Sequence, residues 1–510
     1  METLRNAYNY LLGQGENPAV GTDEIFPLYF LDNLQAGRVL VLSQTFKFND
    51  VLDPEKLHDG LKKLIQTGDW RKLGGRLRKK SDGNLGLHVP KEFTKERPAV
   101  QFSAEKIDIS IDEHSIARQF PRATDSPSLH PGQEVFEEFS ALSKGPKTVQ
   151  DYLQSDHPVF RVHVTVFTDA TIVVFIWPHA VSGALGLKNI LSAWSEALKD
   201  EGNIPELLGA GKDVLDGIGT SKDCTAPYVL DNVELRGWGF AKFAFRLMWT
   251  VFWRPKVEAR TICLPREFVS DLRQATLKEL LKIQRTDTDA FFSEGDVLTA
   301  WLARFVSQAR GGTRPAILVN PLDVSGRLKS ALAPGGLYVQ NMAVALYTLV
   351  EANILNKGSL GEVARVVRLS IQQQATEEQM RSQLRHFRKL GPNKMQSLYG
   401  ASDSHLVAFS NWTAFKMFEA VDFSPAIIKR SPHSAGGKPV YMHCQSLSRD
   451  SFMRDVFATT GKDLDGNYWI NGFLYPEDWQ GFEDYMQNTK ESSRRKLETT
   501  EDARADISTQ

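Results

Sequence analysis

A chain of 510 residues exceeds the roughly 250–300 residues at which a single hydrophobic core stops growing, so two domains are expected. Its 42% hydrophobic and 24% charged residues are ordinary for a folded, water-soluble protein and exclude a disordered chain or a membrane bundle. The 61 basic and 62 acidic residues leave a net charge of -1, so no overall field draws the protein to nucleic acid or anionic lipid, and no nucleic-acid partner is expected.

The opening segment, Met1 to Leu12, carries Arg5, Tyr8, Asn9 and Tyr10 and has no apolar run of signal-peptide length. Val39–Phe48 is β-rich, and Pro54–Thr67 has helical apolar spacing through Leu57, Leu61, Leu64 and Ile65. Val159–Phe167 alternates Phe160, Val162, Val164 and Val166 with Arg161, His163 and Thr165, the pattern of a half-buried strand. Thr171–Trp177 (TIVVFIW) is continuously apolar, as expected of a central strand covered on both faces, and Leu187–Leu198 reads as a helix through Ile190, Leu191 and Trp194. The turn PHAVSGALG separates them.

Residues 221–258 are irregular and aromatic and are expected to form a crossover linker between domains at 1–220 and 259–487. Within the linker, Trp238–Trp253 includes Lys242 and Arg246 and is shorter than the roughly 20 residues that span a bilayer, so no transmembrane segment is expected. It reads as an amphipathic helix docked on the protein, with contact to a membrane surface as the alternative. The second domain opens on TICLP and a helix from Glu267, followed by a helix at Glu294–Gln308, a strand at Ala316–Leu322 and a long helical region at Ser359–Leu390, broken near Ala375. Residues 488–510 mix both charges without an apolar period and are expected to be a disordered tail.

His179 stands at the carboxyl end of the apolar strand, beside Pro178 and just before a helix that starts near Ala184 or Leu187. Strand ends of this kind hold active sites in open α/β sheets. A helix N-terminus opposes protonation of a nearby imidazole, which keeps it neutral and able to act as a general base. The competing reading has His179 packed in the turn with its nitrogens on nearby carbonyls. Ser182 lacks the glycine two residues before it that a nucleophile elbow requires, because Ala180 stands there. Gly183 and Gly186 make no dinucleotide fingerprint, Asp287 to Asp289 lacks the glycine of a calcium loop, and the histidines show no metal-site spacing. Cys224, Cys263 and Cys444 are far apart with no C-x-x-C spacing, which speaks against a zinc site or disulfide framework and for a reducing, cytoplasmic setting.

His157 to Leu198, HPVFRVHVTVFTDATIVVFIWPHAVSGALGLKNILSAWSEAL, resembles the stretch of BAHD acyltransferases that carries their H-x-x-x-D motif. WRKLGGRLRKKSDGNLGLHV, SEGDVLTAWLARF, NPLDVSGRL, SNWTAFKMFEAVDF and NYWINGFLYPEDWQGFEDYM extend the likeness in order over nearly the whole chain, in the form of fungal trichothecene acetyltransferase-like members. The resemblance implies an α/β protein of two chloramphenicol-acetyltransferase-like domains meeting at a tunnel. Acyl-CoA would enter as co-substrate, with no permanently bound cofactor and no metal. A small-molecule acceptor would enter opposite, and a monomer is expected. His179 would be the general base, and Ser410, Asn411 and Trp412 would line the tunnel. Three departures stand near this site. Gly183 occupies the motif aspartate position, the D-F-G-W-G segment keeps only Asp422 and Phe423, and the family's paired arginines appear as Ser325 and Arg327. In the family the aspartate holds the histidine loop through an arginine. Loss of both partners together avoids leaving one buried charge unpaired. Acyl transfer to a hydroxyl or amine of a specialised metabolite is the expected function; a repurposed chamber that cyclises or rearranges a polyketide or terpenoid without CoA is the alternative.

Overall fold

The computed structural model describes residues 20–141, 145–220, 222–283, 291–328, 330, 332–333, 335–391, 396–447 and 453–508, with side chains in the last helix described to residue 498. The opening residues 1–19 and the run 287–289 lie outside the described residues.

Four strands of the first half and one of the second assemble into a five-stranded sheet with the order Tyr441–Ser446, Val41–Phe48, Thr171–Pro178, Arg161–Val166, Gln101–Lys106. Thr171–Pro178 is buried along its whole length, as a strand paired on both sides and covered on both faces must be. Helix Ala184–Ala197 lays Leu187, Ile190, Leu191 and Trp194 into the core. Helix Pro54–Gln66 packs beside it so closely that a Cβ on Gly60 would lie 2.5 Å from Leu198. The Trp194 indole N–H crosses this contact to donate to the Leu57 carbonyl at 3.0 Å.

The second half builds a seven-stranded sheet with the order Ala343–Val350, Ala316–Asp323, His405–Asn411, Val456–Lys462, Tyr468–Leu474, Glu258–Leu264, Ser128–Pro131. The three strands Ala316–Asp323, His405–Asn411 and Val456–Lys462 run parallel to one another. Helices Arg266–Ile283, Glu294–Ala309, Leu360–Gln374 and Pro476–Ser508 share a core with this sheet through Val269, Trp301, Val363 and Phe482. Capping boxes fix two helix starts, Ser293 with Asp296 and Ser359 with Glu362. The expected break near Ala375 separates Leu360–Gln374 from Glu377–Leu390, where the Thr376 side chain caps the second helix.

The halves exchange strands. Ser128–Pro131, from the first half, pairs with Glu258–Leu264. Tyr441–Ser446, from the second, pairs with Val41–Phe48. Met417, Phe418, Val421 and Phe423 are buried in the first core, and the Phe423 ring lies 5.5 Å from Phe48 and 4.7 Å from Trp194. Burying a phenylalanine side chain contributes about 1.5–3 kcal/mol, so these segments stitch the two halves together.

Two expectations are corrected. Arg161–Val166 is wholly buried, not half-buried: its polar residues find partners inside, with the Arg161 guanidinium donating to Pro146 O at 2.7 Å and His163 Nδ1 lying 2.8 Å from Ser103 Oγ. Residues 488–508 continue the helix Pro476–Ser508. Trp301 donates to Thr489 Oγ1 at 3.0 Å and Ser493 is buried, while the Arg494–Glu498 and Arg495–Glu491 pairs follow the i,i+4 spacing that supports an exposed helix. The aromatic helix Gly237–Trp253 forms as expected and docks on the second half through Phe243, its buried residue, while Trp238 is 75% exposed and Phe252 74%. Among the described residues no helix is long and apolar enough to cross a membrane.

Candidate active site

The apolar strand ends at Pro178, and the chain turns at once into helix Ala184–Ala197. Main chain and tryptophan hold this turn. Val181 N–H donates to Pro178 O at 2.9 Å, and the Trp177 indole donates to Ser182 O at 2.8 Å. His179 N–H donates to Leu40 O at 2.9 Å, which fixes the residue against the start of the neighbouring strand. The ring rests on Gly37, where an added Cβ would lie 3.2 Å from Nδ1, so a larger residue there would push the imidazole away. Nδ1 is buried and without a hydrogen-bond partner, whereas the residue as a whole keeps partial solvent access. This leaves Nε2 as the ring nitrogen that can face a substrate. Burial depresses the imidazole pKa below its ordinary value, with a main-chain hydrogen bond opposing, because the charged form has lost its water.

Gly183 is where sequence reasoning left a gap, and the structure fills it with an amide. The Asn341 side chain donates through Nδ2 to His179 O at 2.9 Å and to Asp32 Oδ1 at 2.9 Å, and Asn341 N–H donates to the same Asp32 oxygen at 2.7 Å. Its Oδ1 faces Gly183: a Cβ on Gly183 would meet it at 2.8 Å. Gly186 permits equally close docking, since a Cβ there would lie 2.5 Å from Val339 O. Asn189 adds a third tie, donating to Tyr338 O at 2.9 Å. The histidine loop is therefore held to the 338–341 segment of the second half by neutral amides resting on a buried carboxylate.

Asp32 is buried, accepts a third hydrogen bond from Tyr29 N–H at 2.8 Å, and is pushed up to about 6 by burial, with Lys72 opposing. Lys72 is buried too, pulled down to about 8 by burial with Asp32 opposing, and lies over the Tyr29 ring at 4.7 Å. Introducing the family's aspartate by Gly183→Asp is therefore expected to be harmful. The new side chain would overlap an Asn341 amide that is pinned at both hydrogens and bring a second carboxylate toward Asp32. Thermal unfolding should show a loss of about 1–3 kcal/mol, the usual cost of overpacking.

The other site candidates separate into three groups. Ser410, Asn411 and Trp412 stand at the carboxyl end of strand His405–Asn411, where Trp412 donates to Ser410 Oγ at 2.8 Å. The Asn411 carbonyl accepts from Thr413 N–H at 3.0 Å and Thr413 Oγ1 at 2.8 Å, so half of that side chain is committed to its own turn. No hydrogen bond or ring contact among the described residues joins this trio to His179. Ser325 bonds Asp323 through its hydroxyl and, at 2.9 Å, its N–H. Arg327 is exposed and is not among the groups around Gly183, so no orphaned guanidinium remains there. Asp422 caps the turn at Ser424, accepting its N–H at 3.0 Å, and its own N–H donates to Ser195 Oγ at 2.9 Å. Ser182 is fully buried and donates to Gly183 O at 3.2 Å, a packing role. The three cysteines are free and buried. No cluster among the described residues could hold a metal. Gly37, Asp32 and Asn341 were missed because no motif marks them: each acts on His179 from a remote segment of the chain.

No family model matches the chain. Acetyltransferase pyiB of Pyricularia grisea is 45% identical over 93% of this chain and 96% of its own length. O-acetyltransferase PaAT-2 of Phomopsis amygdali is 36% identical over 92% and 98%. A further relative, from Sordaria araneosa, 31% identical over 91% and 97%, is named transcriptional regulator sdnM. Among solved structures, TRI101 of F. sporotrichioides complexed with coenzyme A and T-2 superposes with a TM-score of 0.62 at 15% identity, over 90% of this chain and 96% of that one. The fold is that of the two-domain, coenzyme-A-dependent acyltransferases. The chain belongs to the family of fungal acetyltransferases that includes pyiB and PaAT-2.

Proposed function

We propose that this chain moves an acyl group from acyl-CoA to a hydroxyl or amine of a small specialised metabolite, working as a cytoplasmic monomer with His179 as general base. The observation that carries the reading is the ring itself: buried on its Nδ1 edge against Gly37, held by main chain on both sides, and kept neutral by desolvation. The acceptor's O–H or N–H proton passes to Nε2 as its lone pair attacks the thioester carbonyl. The tetrahedral oxyanion collapses, the C–S bond breaks, and the imidazolium returns the proton to the CoA thiolate. Ser410 Oγ accepts from Trp412, so its own proton is free to donate to that oxyanion. The likeness to named acetyltransferases along the whole chain and the coenzyme A held by a protein of the same fold support the donor. The three buried thiols suit a reducing compartment.

Two measurements test it. Coenzyme A at 100 times its dissociation constant should stabilise the protein by about 2.7 kcal/mol in thermal unfolding; no shift would remove the CoA-dependent reading. The pH dependence of kcat/KM should show an acidic limb whose midpoint lies below the ordinary imidazole value of 6.5. The sign follows from the depressed pKa: the neutral base persists as pH falls through 6.5 and is lost only below it. A midpoint above 6.5 would count against His179.

A further inference from the structure

The aromatic helix Gly237–Trp253 presents a surface that acyl transfer does not use. At about 100° per residue, Trp238, Phe245, Met248, Trp249, Phe252 and Trp253 fall on one arc opposite the buried Phe243, and all six are more than half exposed. Their rings form a ladder in solvent, with centroids 5.9 Å apart for Phe245 and Trp249, 5.5 Å for Trp249 and Trp253, and 5.5 Å for Phe252 and Trp253. An apolar patch of this extent on a protein surface marks an interaction site. Its charge says what kind. From Leu235 to Val257 the chain holds Arg236, Lys242, Arg246, Arg254 and Lys256 and no acidic residue, with Arg236 paired to Glu234 just before it, in a protein whose overall charge is -1.

Beneath the helix lies a cavity of about 430 Å³ lined by Arg246, Arg254, Arg310, Arg314, Arg454 and His405, with Asp455 the single carboxylate in its wall. Arg310 is offset by Asp455 and Asp478, and Arg254 by Glu477. Arg246 and Arg314 instead donate to main-chain carbonyls, of Ser402 at 3.2 Å and of Asp403 and, at 3.4 Å, Ser404, and neither forms an ion pair among the described residues. His405 Nε2 is buried there without a partner. The cavity opens at the amino end of strand His405–Asn411, while Ser410 stands at its carboxyl end. Five residue steps of about 3.3 Å separate them by about 17 Å, so this is a place apart from the acyltransfer site.

We infer that this face docks on a bilayer surface rich in anionic phospholipid, with the Trp and Phe side chains entering the headgroup boundary and the arginine-lined cavity receiving a lipid phosphate. Trp and Phe on one face with Lys and Arg beside them is the composition of helices that lie in the interface plane without crossing it, and the helix is not long and apolar enough to span. A second copy of the chain is a poor occupant, because two such faces would bring like charges together. Docking by this face concentrates the enzyme where apolar acceptors partition.

The test is flotation of the full-length protein with phosphatidylcholine vesicles, with and without phosphatidylserine. Binding is expected to the phosphatidylserine vesicles and to weaken as salt rises. Trp249→Glu with Phe252→Glu changes two exposed residues and should abolish flotation while leaving turnover of a soluble acceptor unchanged. Lys242→Glu with Lys256→Glu should weaken binding by roughly fivefold or more per cation removed. The inference is overturned by no binding to either vesicle, by equal binding to both that survives the aromatic substitutions, or by a dimer in light scattering that the aromatic substitutions dissolve.

Discussion

His179→Ala is expected to lower kcat by about 10²–10⁴-fold, the usual contribution of a positioned general base, with little change in the stabilisation that coenzyme A confers. The split is informative because the ring makes no hydrogen bond through Nδ1. Its anchoring runs through the main chain, Leu40 O accepting its N–H and its own carbonyl accepting from Asn341, and alanine keeps both. A fall in turnover with an unchanged melting temperature therefore identifies chemistry. Unchanged turnover in a folded variant would remove His179 from the mechanism. Glutamine at the same position should not restore the rate, since an amide cannot take the proton.

Asn341→Leu is the second expected large effect, and here stability and activity should fall together. The substitution keeps similar volume but withdraws one of the three donors that Asp32 accepts, Nδ2, and with it the bond to His179 O, while the 341 and 29 main-chain N–H groups remain. A buried acceptor that loses one hydrogen-bond donor typically destabilises by about 1–3 kcal/mol. Because two main-chain donors survive, the lower end of that range is expected in chemical denaturation. Turnover should drop with the Michaelis constant for acyl-CoA largely unchanged, because what is lost is the position of the histidine loop. The double variant Asp32→Leu with Asn341→Leu should cost less than the sum of the two single changes, since the residues act through one shared bond. Strict additivity would show that Asn341 does not work through Asp32.

These expectations rest on residues that reading the chain left unmarked, and the reason is physical. His179 was legible because its signal is local: an apolar run ending in Pro178, a turn and a helical period all lie within some thirty residues. Asp32 and Asn341 are separated by 309 positions, and nothing in LDN or VQN announces that one amide will bridge a carboxylate and the histidine carbonyl. The absence of an aspartate at Gly183 was readable. What replaces it was not, because space and hydrogen-bond complementarity belong to the packed structure. The aromatic helix shows the same division: its period and its length were plain, but an apolar face looks alike in sequence whether it meets a core or solvent, and only the packing left six large side chains outside.

The sequence by itself determined the strands and helices with an unbroken apolar period, the buried strand that ends before His179, the family to which the chain is similar and the glycine at position 183, since periodicity and contiguous motifs encode all of these. The tertiary structure alone decided that strands are exchanged between the halves, that Arg161 and His163 are buried among partners, that the last segment is helical, and that the histidine loop hangs on Asn341 and Asp32. Each of those depends on contacts between residues remote along the chain, and such contacts are chosen by burial and by the demand that every buried polar group find a partner.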